Sequence, residues 1–535
     1  MAKDEILVVG AGPVGLVMAA ELSRHGVKCR IIDKNTNQAD DSRAVGVHAR
    51  TLEVYEDIGI VDEALEKGVK VVGLNLYSRD SQLIHTAFRN LDSRYNFVLD
   101  MPQSLTEPML INHLKSFGVE VERNVELNNL EQQDDQVEVM LKHGEHSLVP
   151  ETFAYVIGCD GARSTCRHLL EIPFPGEEYP SSWVVLDSAL DWPYDSQELH
   201  LFLHEKGLTA FFPLPGNRMR ITYERFMSRD QDELPKVTYD HARQALQERV
   251  SKKLKLVDPK DLSPFIIHHR QVTQYRKGRV FLAGDAAHLH SPAGGQGMNT
   301  GIQDAYNLAW KLALVHQGIS PKKLLDTYHI ERHPIGKWVL NVTDRITRMM
   351  TVKNSVLSFL RDTLLTAANH IDKVKTQMPK RFSQLYLHYE LNDFIYESCQ
   401  EHHPLNVRAG HRAPDHELKE TRLFKLFQGT HHTLLLFSGK KPDHEDLEGI
   451  KKIEKAVKQY DKWMHTYLLI RNEEDLKLFP NTTACFEDRE PSVHSHYGVE
   501  KSTAMLIRPD GVIAFVNQPP LETPIKKYFF QLVKC

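Results

Sequence analysis

The 535-residue chain is poor in cysteine, with six, at 29, 159, 166, 399, 485 and 535. None forms a C-x-x-C pair, which excludes the usual zinc and dithiol spacings. Such sparse usage fits a reducing compartment. Long apolar runs are also missing. The most apolar stretch, Ile6 to Ala20, is fifteen residues broken by glycine and proline, whereas a membrane span needs about 20. "MAKDE" runs straight into "ILVVG", leaving no room for a signal peptide. No charge of one sign dominates: the net charge is −5, with 26% charged residues. That gives no basic footprint for nucleic acid or an anionic membrane surface. The 29 histidines show no H-E-x-x-H or comparable spacing, so no metal is expected. These absences lead to the expectation of a cytoplasmic protein of roughly two to four globular domains.

What the chain does have is glycine at telling positions. Ile6 to Val9 reads as a buried parallel strand. Gly10-x-Gly12-x-x-Gly15 follows, then a helix expected over Val14 to His25 and a second strand, "KCRIID", ending at Asp33. This is the βαβ dinucleotide fingerprint in its required context. Gly10 allows the tight turn, Gly12 lets backbone amides approach a pyrophosphate, and Gly15 lets helix and strand pack closely. The pyrophosphate would sit on the positive helix end beside Pro13. Asp33, with Lys34 after it, is placed to bond a ribose diol and repel a 2′-phosphate, which favours FAD or NAD over NADP. The loop from 40 to 60 holds Arg43 and Arg50. Either could reach over the phosphates as a planar fork, and surface arginines are the alternative.

Two further turns follow. "YVIGCDGARSTCR", 155 to 167, is an apolar strand ending at Asp160-Gly161, a turn at the strand end where α/β proteins bind ligands. "GDAAHLHSPAGGQGMNTG", 284 to 301, follows the strand "VFLA". Pro292 stiffens this turn, Gly294, Gly295 and Gly297 strip it of side chains, and a helix is expected over Asn299 to His316. A helix N-terminus carries about half a positive charge. One turn can hold a pyrophosphate but not the far end of a dinucleotide, so a second cradle suggests a large cofactor gripped at both ends. An isoalloxazine fits, because its pyrimidine edge becomes anionic on reduction. Asp285 would then contact the ribityl chain.

These three motifs in this order resemble the FAD-dependent aromatic hydroxylases of the p-hydroxybenzoate hydroxylase class, the single-component flavoprotein monooxygenases. "SRAVGVHARTLEVYEDIGI" and "LLDTYHIERHP" are also similar, and the length and C-terminal run resemble the phenol hydroxylase and pentachlorophenol monooxygenase subgroup. The resemblance implies FAD contacts at Gly10, Gly12, Gly15, Asp33, Arg43, Gln103, Asp285, Gly297, Met298 and Asn299. It implies that Asp160-Gly161 serves both FAD and NADH or NADPH. The resemblance implies a phenolic or polycyclic aromatic substrate whose electron-rich ring would attack the electrophilic distal oxygen of a flavin C4a-hydroperoxide, with dioxygen as co-substrate. Cys159 departs from the family's small alanine-like residue and is expected to be a buried neutral thiol.

The fold class expected is α/β: a Rossmann-like FAD-binding fold with an interleaved antiparallel substrate sheet and a C-terminal thioredoxin-like domain lacking C-x-x-C. The expected division is a first FAD-binding part over 1–175, a substrate sheet over 176–279 and a second FAD-binding part over 280–345. A helical linker over 346–404 and the thioredoxin-like domain over 405–535 complete it. "SSWVVLDSAL", "ELHLFLH", "GLTAFFPLP" and "RMRITYER" read as the antiparallel sheet. Its polar members His200, His204, Arg220 and Tyr223, and His48 outside it, are candidates to polarise a substrate hydroxyl. Solvent-facing polar strand residues are the alternative. The C-terminal domain, where Phe437 leads into "SGKK" instead of cysteines, is expected to serve packing or a homodimer, with Cys535 mobile. Competing functional readings are a related flavoenzyme acting on an isoprenoid, a plain NAD dehydrogenase, and a non-catalytic FAD-binding protein.

Overall fold

The structure is a computed structural model. It describes residues 4–534 except 39–43, 80, 145–146, 227–235, 251–252, 292–293, 353, 372–378, 381, 400–404, 472–478, 480–484 and 488–491. Arg43, Pro292 and Cys535 therefore lie outside the described residues. The chain forms two compact units. One comprises Met1–Ser23, Lys28–Ala305 and His333–Leu385; the other comprises Arg24–Val27, Tyr306–Arg332 and Tyr386–Cys535.

The first unit is built on a six-stranded sheet. Its order is Arg276–Lys277, Val280–Leu282, Tyr155–Gly158, Ile6–Val9, Cys29–Asp33, Val121–Arg123. All neighbours are parallel except the first pair. Ile6–Val9 is buried along its whole length, as its unbroken aliphatic run requires. The first helix spans Pro13–Arg24, one residue earlier at each end than its apolar pattern suggests. Proline opens it because the first-turn N–H has no helical partner to lose.

An eight-stranded sheet lies in the same unit, in the order His288–Leu289, Lys255–Gln271, Gly176–Asp191, Arg218–Phe226, Thr209–Leu214, Leu199–Leu203, Gly73–Ser78, Ser81–Ala87. The middle segment supplies its antiparallel centre. Strands 73–78 and 81–87, far earlier in the chain, extend it, 73–78 pairing parallel with 199–203. On one face Val184, Leu186, Phe202, Phe211, Ile221 and Tyr223 pack against Ala242 and Leu246 of the helix Tyr239–Arg249. Alternation puts Asp187 and its cross-strand partner Arg220 on the other face. A small antiparallel sheet, Gly46–Val47, Val98–Asp100 and Val69–Val71, touches strand 209–214. A meander, 125–132, 137–143 and 147–153, completes the unit's sheets.

The second unit holds a six-stranded sheet, in the order Tyr396–Ser398, Ile513–Asn517, Thr503–Ile507, His432–Phe437, Met464–Ile470, Cys485–Glu487. Strand 432–437 runs parallel to 464–470 and antiparallel to 503–507, the thioredoxin-like arrangement. The "RPDG" turn joins the hairpin 503–507/513–517. Helix His444–Val457 starts with a reciprocal capping box between Asp443 and Asp446.

This unit also encloses a paired charge network. Glu331 accepts from Lys311 Nζ at 2.6 Å and from Arg508 Nη1 at 2.8 Å, and Arg508 Nη2 donates to Asp510 at 2.6 Å. The side chains of Lys311, Glu331 and Arg508 are wholly buried. Burial alone would push the Glu331 carboxyl up, but Arg508 and Lys311 outweigh it and hold the pKa at about 2. Burial lowers the Lys311 ammonium to about 8 despite Glu331, so Arg508 is the firmer cation. Removing one member of a buried pair strands the other's charge and costs about 3–5 kcal/mol. Glu331→Gln should therefore lower the unfolding midpoint of the full chain in denaturant, and an unchanged midpoint would contradict this role. Because the folded pKa lies below the ordinary 4.5, Glu331's contribution is complete above that value and fades as pH falls towards 2.

Candidate active site

Strands Ile6–Val9, Tyr155–Gly158 and Val280–Leu282 are adjacent and parallel, so their C-terminal ends share one edge of the sheet. The turns after them meet there. A Cβ on Gly10, whose φ is +102°, would lie 2.4 Å from Cys159 O, and one on Gly15 would lie 1.9 Å from Gly10 O. Val14 sits between the first and third turns: a Cβ on Gly284 or Gly301 would come within 2.9 Å or 2.6 Å of its methyl carbon. Arg167, buried, donates to Ala162 O at 2.8 Å and to Ala286 O at 3.0 Å, tying the second turn to the third. Asp304, also buried, accepts from Gly284 N and from His288 Nε2. Neither Arg167 nor Asp304 stands out in the sequence, although Asp304 lies on the buried face of its helix.

A cleft opens at this edge. Gly10, Gly12, Asp33, Lys34, Gln103, Asp160 and Gly161 line it, together with Glu107, Arg123, Glu126, Cys159 and Thr165. Nothing approaches within 4 Å of where a Cβ on Gly12 or Gly161 would stand, so the backbone is bare towards the cleft. Asp33 accepts from Ala11 N and from Asn35 N, both at 2.8 Å. Gln103 donates to Glu107 at 2.7 Å. Two buried polar atoms in the lining have no protein partner, Asp160 Oδ1 and Arg123 Nη2. A bare glycine backbone at a helix N-terminus, an acid at the next strand end and unmet polar atoms fit the adenosine and pyrophosphate of a dinucleotide. Burial pushes the Cys159 thiol well above its usual range, so it stays neutral. Pro13 opens the first helix. Arg50 is buried and paired with Glu53 at 3.0 Å.

The third turn is a second cradle. Asp285 is exposed in a short 3-10 turn. The following helix spans Gln296–His316, beginning three residues before Asn299, so Gly297 and Met298 lie in its first turn. Gly294 and Gly295 have φ of +85° and +62°. Asn299 is fully buried and spends its side chain within the chain. It donates to Gly46 O and Gly295 O and accepts from His48 N, so its side chain braces the turn from within. His48 Nε2 lies 2.8 Å from Gly294 O, so it carries the proton, and Nδ1 is buried without a partner. Burial lowers the His48 pKa to about 4, which keeps the ring neutral. His290 mirrors it: Nδ1 faces Ser291 O at 2.9 Å, Nε2 has no partner, and burial lowers its pKa to about 4.

The polar members of the eight-stranded sheet do not converge. His200 Nε2 bonds Asp195 O at 2.6 Å and the ring packs among Tyr77, Trp192 and Tyr194. Tyr223 packs on the same face beneath Arg249. His204 accepts from Lys206 N at the strand end. Arg220 alone of the four is on the opposite face, bidentate to Asp187 at 2.8 Å for each bond.

Residues 3–343 match the family model described as FAD binding domain. The chain is 35% identical over 426 residues to rifampicin monooxygenase of Streptomyces venezuelae, covering 79% of this chain and 84% of that one. It is 33% identical over 446 residues to pentachlorophenol 4-monooxygenase of Sphingobium chlorophenolicum, covering 81% and 80%. Its fold superposes on the anhydrotetracycline hydroxylase of Streptomyces rimosus with a TM-score of 0.77 and 28% identity, covering 99% and 98%. The chain belongs to the FAD-binding-domain family and is a flavin-dependent monooxygenase within it.

Glycine substitutions separate cofactor space from fold. Gly12→Ala should leave the apoprotein's melting temperature nearly unchanged and reduce bound FAD, because its Cβ points into open space. Gly15→Ala should lower both, because its Cβ meets backbone at 1.9 Å. Flavin absorbance per chain and thermal unfolding read the two effects, and equal loss of melting temperature in both variants would contradict the assignment.

Proposed function

We propose that the chain hydroxylates a phenolic or polycyclic aromatic compound, using NADH or NADPH as reductant and dioxygen as oxidant, with one FAD spanning both glycine turns. The observation that carries this is the shared strand edge, where the Gly10–Gly15 turn and the Gly284–Gly301 turn, each leading into a helix N-terminus, meet around Val14. The named relatives, acting on rifampicin and on pentachlorophenol, support it over an isoprenoid substrate. A plain dehydrogenase would leave the second cradle unused.

The Gly10–Gly15 turn and the helix after it would hold the pyrophosphate, and Asp33 the adenosine ribose. Arg123 and Asp160 would supply the polar partners their unmet atoms need. Gly161 would keep the cleft open to the nicotinamide. Asp285 would meet the ribityl chain, and the backbone N–H groups of Gly297, Met298 and Asn299 the pyrimidine edge. FAD held there would supply a hydride acceptor for the nicotinamide and the means of activating dioxygen for transfer to an electron-rich ring. The chain supplies position and field. The helix start at Gln296 would favour negative charge on a ring edge held against it. Neutral His48 clamps the Gly294–Gly295 carbonyls and so fixes the turn. A cytoplasmic location and a homodimer belong to the same proposal. Among the described residues, no helix is long and apolar enough to cross a membrane.

The purified protein should be yellow, and phenols or naphthols should raise its NAD(P)H-dependent oxygen uptake. Asp285→Ala should strip FAD without disturbing the circular dichroism of the fold, because the residue is exposed. A flavin-free wild type, or full flavin in that variant, would contradict the reading.

A further inference from the structure

Between the small sheet and the substrate sheet lies a carboxyl that nothing above uses. Asp100 ends strand Val98–Asp100, paired with Gly46 on one side and Val69 on the other. It is 2% exposed, and its Oδ2 has no hydrogen-bond partner. Leaving a buried polar atom unmet costs about 1–3 kcal/mol, so such an atom calls for a ligand or a functional reason. The carboxyl lies against the side-chain-free backbone of Gly46, where a Cβ would stand 3.5 Å from Asp100 Oδ1. The Gly46 carbonyl accepts from Asn299 of the second cradle. Arg220 acts on Asp100 from the substrate sheet, with its guanidinium already engaged by both oxygens of Asp187. The carboxyl therefore stands where the second cradle and the substrate sheet meet.

Its charge state follows from the same neighbours. Burial pushes the pKa well above the carboxylate range, and Arg220 opposes this only in part. His48, beyond Gly46, is neutral. Lys70, on the other flanking strand, is exposed with its ammonium 5.2 Å from the Phe97 ring. A buried carboxyl with an unpartnered oxygen favours its protonated form over the charged one, and in that form it is an uncharged donor and acceptor at once.

We propose that Asp100 anchors the substrate by donating a hydrogen bond to a phenolic or carbonyl oxygen of the aromatic ring system. The inference rests on the hydroxylase reading and narrows it: the site suits hydroxylated or keto-bearing rings. A benzoate-type carboxylate would find Arg220 already held by Asp187.

The test compares FAD-loaded wild type, Asp100→Leu and Asp100→Asn. The probe is whichever phenol or naphthol best stimulates wild-type NAD(P)H oxidation. Asp100→Leu should raise KM about tenfold, the loss of one buried hydrogen bond, with kcat and flavin content little changed. In the wild type, KM should rise as pH climbs through the raised pKa and the donor is lost. Asp100→Asn, which donates without titrating, should keep the low KM and abolish that rise. An unchanged KM in Asp100→Leu, an identical pH profile in Asp100→Asn, or flavin loss in both variants overturns the proposal. Should the leucine variant fail to fold, the asparagine profile decides alone. A wild type that oxidises no aromatic overturns the hydroxylase reading itself, and the anchoring role with it.

Discussion

Backbone packed against backbone is the constraint from which the rest of the site follows. Gly10 and Gly15 bring the first helix and strand 155–158 to distances that no side chain permits, and Gly284 and Gly301 do the same around Val14. These contacts align three strand ends on one edge. The cleft, the second cradle and the clasp of Asn299 on Gly46 are consequences of that alignment. The turns are 145 and 270 residues apart in sequence, counting from Gly10 to Tyr155 and to Val280, so only the sheet's pairing order brings them together.

Buried polarity takes two forms, one exemplified in each unit. In the second, Lys311, Glu331, Arg508 and Asp510 close on one another, and Asn307 donates into the same carboxylates. In the first, Asp160, Arg123, His48, His290 and Asp100 each keep a buried atom without a protein partner. A closed network holds a fold together. Open valences around a glycine-lined edge leave interactions to be completed by a ligand.

Much of this was legible in the residues themselves. "GAGPVG" between an aliphatic strand and an amphipathic helix admits few other readings, and the third turn repeats the same strand–glycine–helix pattern. The middle strands could be read from alternation, but alternation does not say which face looks where. His200 and Tyr223 turned out to share the face packed by helix 239–249, and Arg220 the other. The strands 73–78 and 81–87 joined a sheet formed mostly from residues a hundred positions later, because strand pairing is non-local. Asp100, Arg123 and Asp304 were silent for a related reason: a single acid or arginine has no periodic signal, and only burial without a partner, or a bond to a distant turn, reveals it.

The central claim is that one FAD is gripped at both ends by two glycine turns. The most direct measurement is a crystal structure of the FAD-loaded protein. The account predicts the adenosine ribose against Asp33, the pyrophosphate over Gly10–Gly15 and the pyrimidine edge of the isoalloxazine against the backbone of Gly297–Asn299. A ring seated away from the 295–299 turn, or a dinucleotide bound at the first turn alone, would contradict it.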